Sequence, residues 1–222
     1  MPRVEAAERR EQIIKATYRA FTSPNKKGLA DVTLQDIADE ANFSKGVVMY
    51  YFDSKEKVFV ALLDWLLFQI SERVEHNVGH AEGVEAKLHA LIDSVFLNAR
   101  ENRRFYTVYL DFATQGLRNP LFRSLNVSFL ALCRGVGREI IEEGVKQQIF
   151  RSVDLDEAAA FIRAVVDGMC LQWLFDETSS SEETFDRYKS YAFSSIRAYL
   201  RIWYFQSILS PLTDRKKFDT FW

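Results

Sequence analysis

The sequence predicts an all-α protein, and three observations support this fold class. Apolar residues recur three and four positions apart over long segments, as on one face of an α-helix. The 222-residue chain contains only four prolines and nine glycines, which leaves room for long uninterrupted helices. No segment alternates cleanly enough between apolar and polar residues to predict a β-strand. With 48% apolar residues, the chain can form a substantial core without disulfides.

The first part of the chain is predicted to form short helices. An apolar stripe predicts a helix from Arg9 to Phe21, and the breaker cluster from Ser23 to Gly28 ends it. A second helix spans Val32 to Ala41, where Thr33 is the expected N-cap and Asp36 completes a variant of the capping box. A third helix follows N-cap Ser44 and runs from Lys45 to Phe52.

The later helices are long. A fourth helix begins at Lys55, carries a continuous apolar face, and fades between Gly79 and Gly83. Further helices are predicted over Val84–Arg100, Arg103–Gln115, Pro120–Gln148, Leu155–Asp176 and Glu182–Ile208. The predicted domain boundary lies inside the fourth helix near Glu56, so that residues 1–56 form a three-helix domain with a helix-turn-helix and residues 57–222 form a larger helical domain.

Composition restricts the location of the protein. Cys133 and Cys170 each stand alone in an apolar stretch, which indicates buried free thiols in a reducing compartment. The N-terminal segment MPRVEAAERREQ is charged and has no apolar region typical of a signal peptide. The most apolar run, Val58 to Ile70, has 13 residues and contains Asp64, whereas a membrane span needs about 20. We therefore expect a cytoplasmic protein with no membrane partner.

The helix-turn-helix has features that favour DNA, although the overall charge does not. Net charge is −2, with +1 over residues 1–57 and −3 over residues 58–222. Lys45 and Gly46 occupy the first turn of the third helix, the element that enters the major groove in this motif. Glycine allows close approach of the backbone to a ligand, and lysine donates to guanine or phosphate.

Two further features point to phosphate. Tyr50 and Tyr51 are adjacent at the end of the third helix, and tyrosine hydroxyls are ordinary phosphate donors. Lys55 and Lys57 lie in the first turn of the fourth helix, where lysine opposes the helix dipole. A phosphate at this positive helix end would explain both lysines. Each feature alone is better explained by a charged solvated surface, but their order and spacing together favour DNA.

The segment from Thr33 to Glu56, TLQDIADEANFSKGVVMYYFDSKE, resembles the signature of the TetR family of bacterial regulators. Asn42 replaces the usual turn glycine, and asparagine tolerates the left-handed conformation. Met49 replaces a tyrosine that often contacts phosphate. The resemblance implies a homodimer that binds double-stranded operator DNA, more often as a repressor than as an activator, through Thr33, Ser44, Lys45, Gly46, Tyr50, Tyr51 and Lys55.

The segment from Tyr106 to Glu177 is similar to the C-terminal domain of the choline-sensing BetI-like branch of that family. The resemblance implies a ligand-binding and dimerisation domain, without identifying the ligand. Aromatic residues expected to line a small-molecule pocket are Trp65, Phe68, Phe105, Tyr109, Phe112, Phe129 and Trp173. Pockets with such walls suit a largely apolar effector, such as an aromatic compound, a lipid-like molecule or a cationic drug.

The last two helices are expected to pair with a second copy of the chain, and a two-fold dimer matches a palindromic operator. Residues assigned to this interface are Phe161, Val165, Leu171, Phe185, Tyr188, Tyr191, Ala192, Ser195 and Tyr199. The alternative is that these helices close the core of a monomer.

An enzyme is the main rival class, and no nucleophile elbow, phosphate loop, C-x-x-C pair or dinucleotide fingerprint is present in the sequence. We expect no catalytic residues, no cofactor and no metal. His76 and His80 have the spacing of two ligands on one helix face, but a solvated face explains them more simply. A further alternative is a protein-interaction module whose helix-turn-helix no longer binds DNA.

Overall fold

The computed structural model describes residues 2–23 and 28–201, and over these residues the chain forms nine α-helices. The helices are α1 (Pro2–Phe21), α2 (Leu34–Ala41), α3 (Lys45–Tyr51), α4 (Lys55–Gly79), α5 (Val84–Val95), α6 (Ala99–Gly116), α7 (Pro120–Lys146), α8 (Leu155–Leu174) and α9 (Glu182–Leu200). Within the described ranges, one isolated antiparallel bridge joins Phe150 to Arg201. The all-α prediction is therefore confirmed.

The predicted helix starts around the turn between α2 and α3 are confirmed. Thr33 accepts a hydrogen bond from the Asp36 backbone N–H, and the Asp36 side chain accepts one from the Thr33 backbone, which completes the capping box. Ser44 caps α3 by accepting from the backbone N–H of Val47. At the other end of the first helix the prediction was too short, because α1 begins at Pro2 instead of Arg9. Residues 24–27 of the predicted breaker cluster lie outside the described residues.

The predicted helix starting at Val84 is confirmed, but its predicted end at Arg100 is wrong, because α5 ends at Val95 and α6 begins at Ala99. Phe96 leaves the helix with its side chain completely buried, and its ring lies 5.7 Å from that of Phe185. Asn98 then caps α6 by accepting a hydrogen bond from the Glu101 backbone N–H over 2.9 Å. Burial of Phe96 and this cap together end one helix and start the next.

The last helix ends earlier than predicted. Its C-cap Arg201 has extended backbone angles, and the preceding carbonyl of Leu200 accepts a hydrogen bond from the Arg151 backbone N–H over 3.0 Å. The bridge to the segment after α7 therefore ends α9 at Leu200. The remaining part of the predicted helix, residues 202–208, lies outside the described residues.

The fourth helix connects the two halves of the fold. It packs against α1 on one side and against α5, α6 and α7 on the others. Its buried residues belong to one apolar core that continues from α1 to α9. A continuous helix with both ends packed transmits a displacement along its length more directly than a flexible linker.

Candidate nucleic-acid interface and ligand cavities

The turn before α3 holds this helix at a defined angle. Asn42 adopts the left-handed conformation with φ 55° and ψ 40°, as expected for an asparagine in place of glycine. On the inner face of α3, Val48 is fully buried, and Phe52 is buried directly after the helix. The Arg10 guanidinium lies 4.2 Å from the centre of the Phe52 ring and donates a hydrogen bond to the Tyr51 carbonyl over 3.1 Å.

The opposite face of α3 points to solvent. Its exposed residues are Ser44, Lys45, Gly46, Met49 and Tyr50. Tyr50 is the most exposed of the large apolar side chains here, at 82% of its area. Met49, whose role the sequence left open, lies on the same face one helical turn after Lys45 and Gly46. This face therefore presents the ammonium group of Lys45 and the uncovered backbone of Gly46. It also presents the apolar side chain of Met49 and the hydroxyl of Tyr50.

Packing within the protein does not require glycine at position 46. A Cβ atom added to Gly46 would approach nothing closer than the Ser44 hydroxyl oxygen, at 3.7 Å. Glycine in a helix is less favourable than alanine by up to about 1 kcal/mol. Gly46 therefore lowers the stability of α3 slightly, although no steric contact within the protein requires a glycine at this position.

The residues predicted to bind phosphate differ in their surroundings. The Thr33 hydroxyl donates to Asp36 over 2.7 Å, and the half-buried Tyr51 packs edge-on against Tyr50. Lys55 donates to the Ala30 carbonyl over 3.4 Å, whereas Lys57 forms an ion pair with Asp53. The two lysines at the start of α4 thus have partners within the protein, so their position alone is weaker evidence for a phosphate than the sequence suggested.

Three cavities border the middle of α4. The first, of about 180 Å³, lies between α1, α4 and α6 and is lined by Tyr18, Trp65, Leu66, Gln69, Ile70, Arg73, Val95, Leu97, Glu101, Asn102 and Phe105. The second, of about 30 Å³, shares Ile70 and Val95 with the first and reaches Cys133 and Arg163. The third, of about 210 Å³, lies between α4 and α7 and contains Asp64, Phe68 and Phe129.

Four of the seven aromatic residues predicted to line a pocket lie in the walls of these three cavities. Trp65 and Phe105 line the first cavity, and Phe68 and Phe129 line the third. The other three are absent from the walls of these cavities: Tyr109, Phe112 and Trp173.

Those three aromatic residues contribute to the core. Phe112 is fully buried among the rings of Phe21, Phe59 and Phe122, and Trp173 packs against Phe185 at 4.9 Å. Tyr109 stacks behind the cavity wall on Phe105 at 5.5 Å. Sequence reasoning missed Tyr18 and Arg73, because nothing in the local pattern shows that α1 and α4 enclose a space.

Comparison with known proteins matches both halves of the chain. Residues 13–62 match the family model described as bacterial regulatory proteins, tetR family, and residues 84–195 match the one described as BetI-type transcriptional repressor, C-terminal. The second model alone covers half of the chain. The chain belongs to the TetR family of transcriptional regulators, with a BetI-type C-terminal domain.

Individual relatives agree with this assignment. The HTH-type transcriptional regulator BetI of Burkholderia lata is 27% identical over 175 residues, which are 78% of this chain and 86% of the relative. The regulator TtgR of Pseudomonas putida is 28% identical over 77% of this chain and 82% of its own length. These relatives and both families are transcriptional regulators and not enzymes, in agreement with the sequence-based exclusion.

Solved structures share the fold. A TetR regulator from Haloarcula marismortui superposes with a TM-score of 0.76 at 25% identity, over 88% of this chain and all of the other. A regulator from Saccharomonospora viridis, whose structure is a complex with choline, superposes with a TM-score of 0.79 at 23% identity, over 89% of this chain and all of the other. None of the helices in the described part of this TetR-family chain is long and apolar enough to cross a membrane.

The residues assigned to a dimer interface fall into two groups. Phe185 and Ala192 are buried in the core of the protomer, and so they are not available to a partner. The others are exposed or half-buried on α8 and α9: Phe161, Val165, Leu171, Tyr188, Tyr191, Ser195 and Tyr199. Phe161 and Tyr199 stack at 4.2 Å, which joins the two helices. Phe175, which the sequence did not assign to the interface, follows α8 with 78% of its area exposed.

An ion pair is buried next to the second cavity. Arg163 is 7% exposed and forms a bidentate pair with Asp167, and its guanidinium lies 5.2 Å from the centre of the Phe129 ring. Burial raises the pKa of Asp167 although Arg163 lowers it. The nearby Tyr106 hydroxyl has no hydrogen-bond partner among the described residues.

The two cysteines are free, as the sequence indicated. Burial raises the pKa of the Cys133 thiol, and it raises that of Cys170 to about 12. Both thiols are therefore protonated and weakly nucleophilic near neutral pH. His76 and His80 lie ring to ring at 4.3 Å, and no group of three or more metal-binding side chains occurs in the part of the chain that the structure describes.

Proposed function

We propose that this TetR-family regulator binds a palindromic operator in double-stranded DNA as a homodimer and represses transcription until a small, largely apolar effector releases it. The observation that carries this proposal is the outward face of α3. It presents Lys45, Gly46 and Tyr50 to solvent while Val48 and Phe52 anchor the helix from the inside. A helix-turn-helix uses this arrangement to insert its second helix into the major groove.

The contacts follow from the geometry of that face. Lys45 is placed to donate to a guanine, and Gly46 lets the helix approach the DNA closely. Met49 offers an apolar tip that suits a thymine methyl group in place of a phosphate contact. Tyr50, with 82% of its area exposed, is an accessible phosphate donor, supported by Ser44, Thr33, Tyr51 and Lys55 at the edges of the motif.

The exposed face of α8 and α9 supports the homodimer. Leu171 and Tyr191 expose 40% and 49% of their areas, and Phe175 extends this apolar surface. Pairing of this face with its own copy buries these side chains and gives the two-fold symmetry that a palindromic operator needs. Residues 1–56 then form the DNA-binding domain and residues 57–222 the effector-binding and dimerisation domain.

The cavities along α4 support effector control. A ligand that fills one of them pushes or holds α4, and α4 packs directly on α1 of the DNA-binding domain. Release of DNA requires the ligand to bind more tightly to the conformation that does not bind DNA. The two recognition helices then move away from the spacing of about 34 Å that successive major grooves require.

Fluorescence anisotropy with labelled DNA from upstream of the protein's own gene tests this proposal. We expect saturable binding of two chains per site, competition by the unlabelled fragment, and no competition by a scrambled fragment of equal length. Equal affinity for both fragments would contradict operator recognition. Absence of binding would favour an interaction module that has lost DNA binding.

A further inference from the structure

The first cavity has walls that select an aromatic or short aliphatic group. The rings of Tyr18 and Trp65 pack at a tilt of 56° with their centres 6.1 Å apart, and Phe105 lines the cavity from α6. Burial raises the pKa of Tyr18 to about 12, so its hydroxyl stays protonated. The volume of about 180 Å³ matches one ring, since a cavity of about 150 Å³ holds benzene in another protein.

The charges in this cavity are not balanced. Glu101 already pairs with Arg104 at 3.4 Å, and Asn102 uses its amide on the Val95 carbonyl and the Leu97 backbone N–H. Arg73 is half-buried, and burial alone lowers its pKa.

Within the described part of the chain, Arg73 makes one polar contact. Its Nε donates to the Ser94 carbonyl over 2.7 Å, and it has no carboxylate partner among the residues that the structure describes. The guanidinium therefore brings an uncompensated positive charge and free donors to the edge of an aromatic cavity.

We propose that this cavity binds a small organic carboxylate, with its ring or chain among Tyr18, Trp65 and Phe105 and its carboxylate on Arg73. A guanidinium and a carboxylate form two parallel hydrogen bonds, which fix the orientation of the acid. The inference rests on the proposed effector response and specifies its ligand class.

A quaternary ammonium ligand is the competing occupant, because aromatic walls also attract cations. The carboxylate that would pair with such a cation, Glu101, is already neutralised by Arg104. Arg73, by contrast, repels a cation. The charge of this cavity thus favours an anion over a choline-like ligand.

The position of the cavity links ligand binding to DNA binding. Tyr18 belongs to α1, and the same helix pairs with α2 through Arg19 and Glu40 at 2.7 Å. A ligand in this cavity therefore contacts both α1, through Tyr18, and α4, through Trp65, and α1 packs directly on α2 of the helix-turn-helix.

Isothermal titration of the full chain without DNA tests the ligand class, with benzoate, its neutral analogue benzamide, and choline as probes. We expect benzoate to bind at least about tenfold more tightly than benzamide, and choline to bind more weakly than either. The Arg73→Gln variant removes the preference for benzoate over benzamide, and Arg73→Lys retains part of it. As a matched control, Arg134→Gln removes an exposed arginine of α7 and leaves the preference unchanged.

Tighter binding of choline, or an unchanged preference in a folded Arg73→Gln variant, would overturn the proposal. Failure of benzoate to bind would also overturn the proposal. A separate anisotropy measurement then adds benzoate to the protein–DNA complex. Benzoate binding without any operator binding would support the ligand class and contradict the proposed function. Operator binding without benzoate binding would support the proposed function and overturn the ligand class.

Discussion

The carboxylate of Asp111 in α6 accepts a hydrogen bond from the backbone N–H of Leu29 over 3.1 Å. Leu29 precedes α2, so this bond joins the C-terminal domain to the DNA-binding domain away from α4. Gly28 allows the approach, because its φ of 145° and the short distance from an added Cβ to Asp111, 2.9 Å, exclude a side chain there. This bond thus couples the two domains in addition to the connecting helix and to the packing of Phe21 on Phe112.

Replacement of Asp111 by alanine should remove this hydrogen bond between Leu29 and Asp111. Loss of a half-buried, charge-assisted hydrogen bond is expected to lower the free energy of unfolding by about 1 kcal/mol. Hydrogen exchange at the Leu29 amide, measured by NMR, should accelerate. Gln115→Ala changes an exposed residue of the same helix and serves as the control. Unchanged exchange at Leu29 in Asp111→Ala would show that the bond does not restrain this segment.

Gly46→Ala should have opposite effects on stability and on DNA binding. The added methyl group has space in the free protein, so we expect the free energy of unfolding to rise by about 0.5 kcal/mol. The same methyl group should weaken operator binding, because it holds the helix away from the DNA. Urea unfolding and anisotropy titrations measure the two effects. Operator affinity equal to that of the unmodified protein would argue against close approach at this position.

Lys55 and Lys57 form a matched pair for testing phosphate contacts. If Lys55 binds a phosphate, Lys55→Ala should reduce the slope of log affinity against log salt concentration by about 0.9 and weaken all DNA sequences alike. Lys57→Ala should change the slope less, because Lys57 is paired with Asp53. Binding titrations at salt concentrations from about 50 to about 200 mM should resolve this difference. Equal slopes for Lys55→Ala and the unmodified protein would remove Lys55 from the contact set.

The dimer face can be tested by placing charge on it. Leu171→Glu and Tyr191→Glu introduce carboxylates that self-association would bury, so each should produce monomers at micromolar concentration. Leu121→Glu is the control, since Leu121 is a similarly exposed apolar residue of α7, at 53%, outside the proposed face. Sedimentation velocity gives the oligomeric state. Dimers that persist in both variants and dissociate in Leu121→Glu would place the interface elsewhere.

Two glycines of α7 should respond in opposite ways to alanine. At Gly144 an added Cβ would clash with the ring of Phe150, which is only 3% exposed and cannot move aside, so Gly144→Ala is expected to destabilise the protein by about 2 kcal/mol. At Gly135 an added Cβ meets nothing within 4 Å, and Gly135→Ala should stabilise by up to about 1 kcal/mol. Urea unfolding compares the two variants. Similar stability for both would indicate that Phe150 packs differently.

Local chemistry made the helix-turn-helix predictable from the sequence. Its caps at Thr33 and Ser44 and the left-handed turn at Asn42 depend on residues within four positions of one another. The exposed and buried faces of α3 follow from helical spacing in the same way. The family signature extends over this segment, and so the fold class and the regulator family were accessible before any coordinates.

Tertiary structure alone decided the features that depend on distant residues. Helix α5 ends before Phe96 because the Phe96 ring is buried beside Phe185. The apolar periodicity of α5 does not reveal this distant partner. The core position of Phe112 likewise depends on neighbours in space, the rings of Phe21, Phe59 and Phe122. The cavity of Tyr18, Trp65 and Arg73 exists because α1 and α4 pack with a gap between them. Caps and periodicity are set by neighbouring residues, whereas burial and cavities are set by packing between helices that the sequence separates.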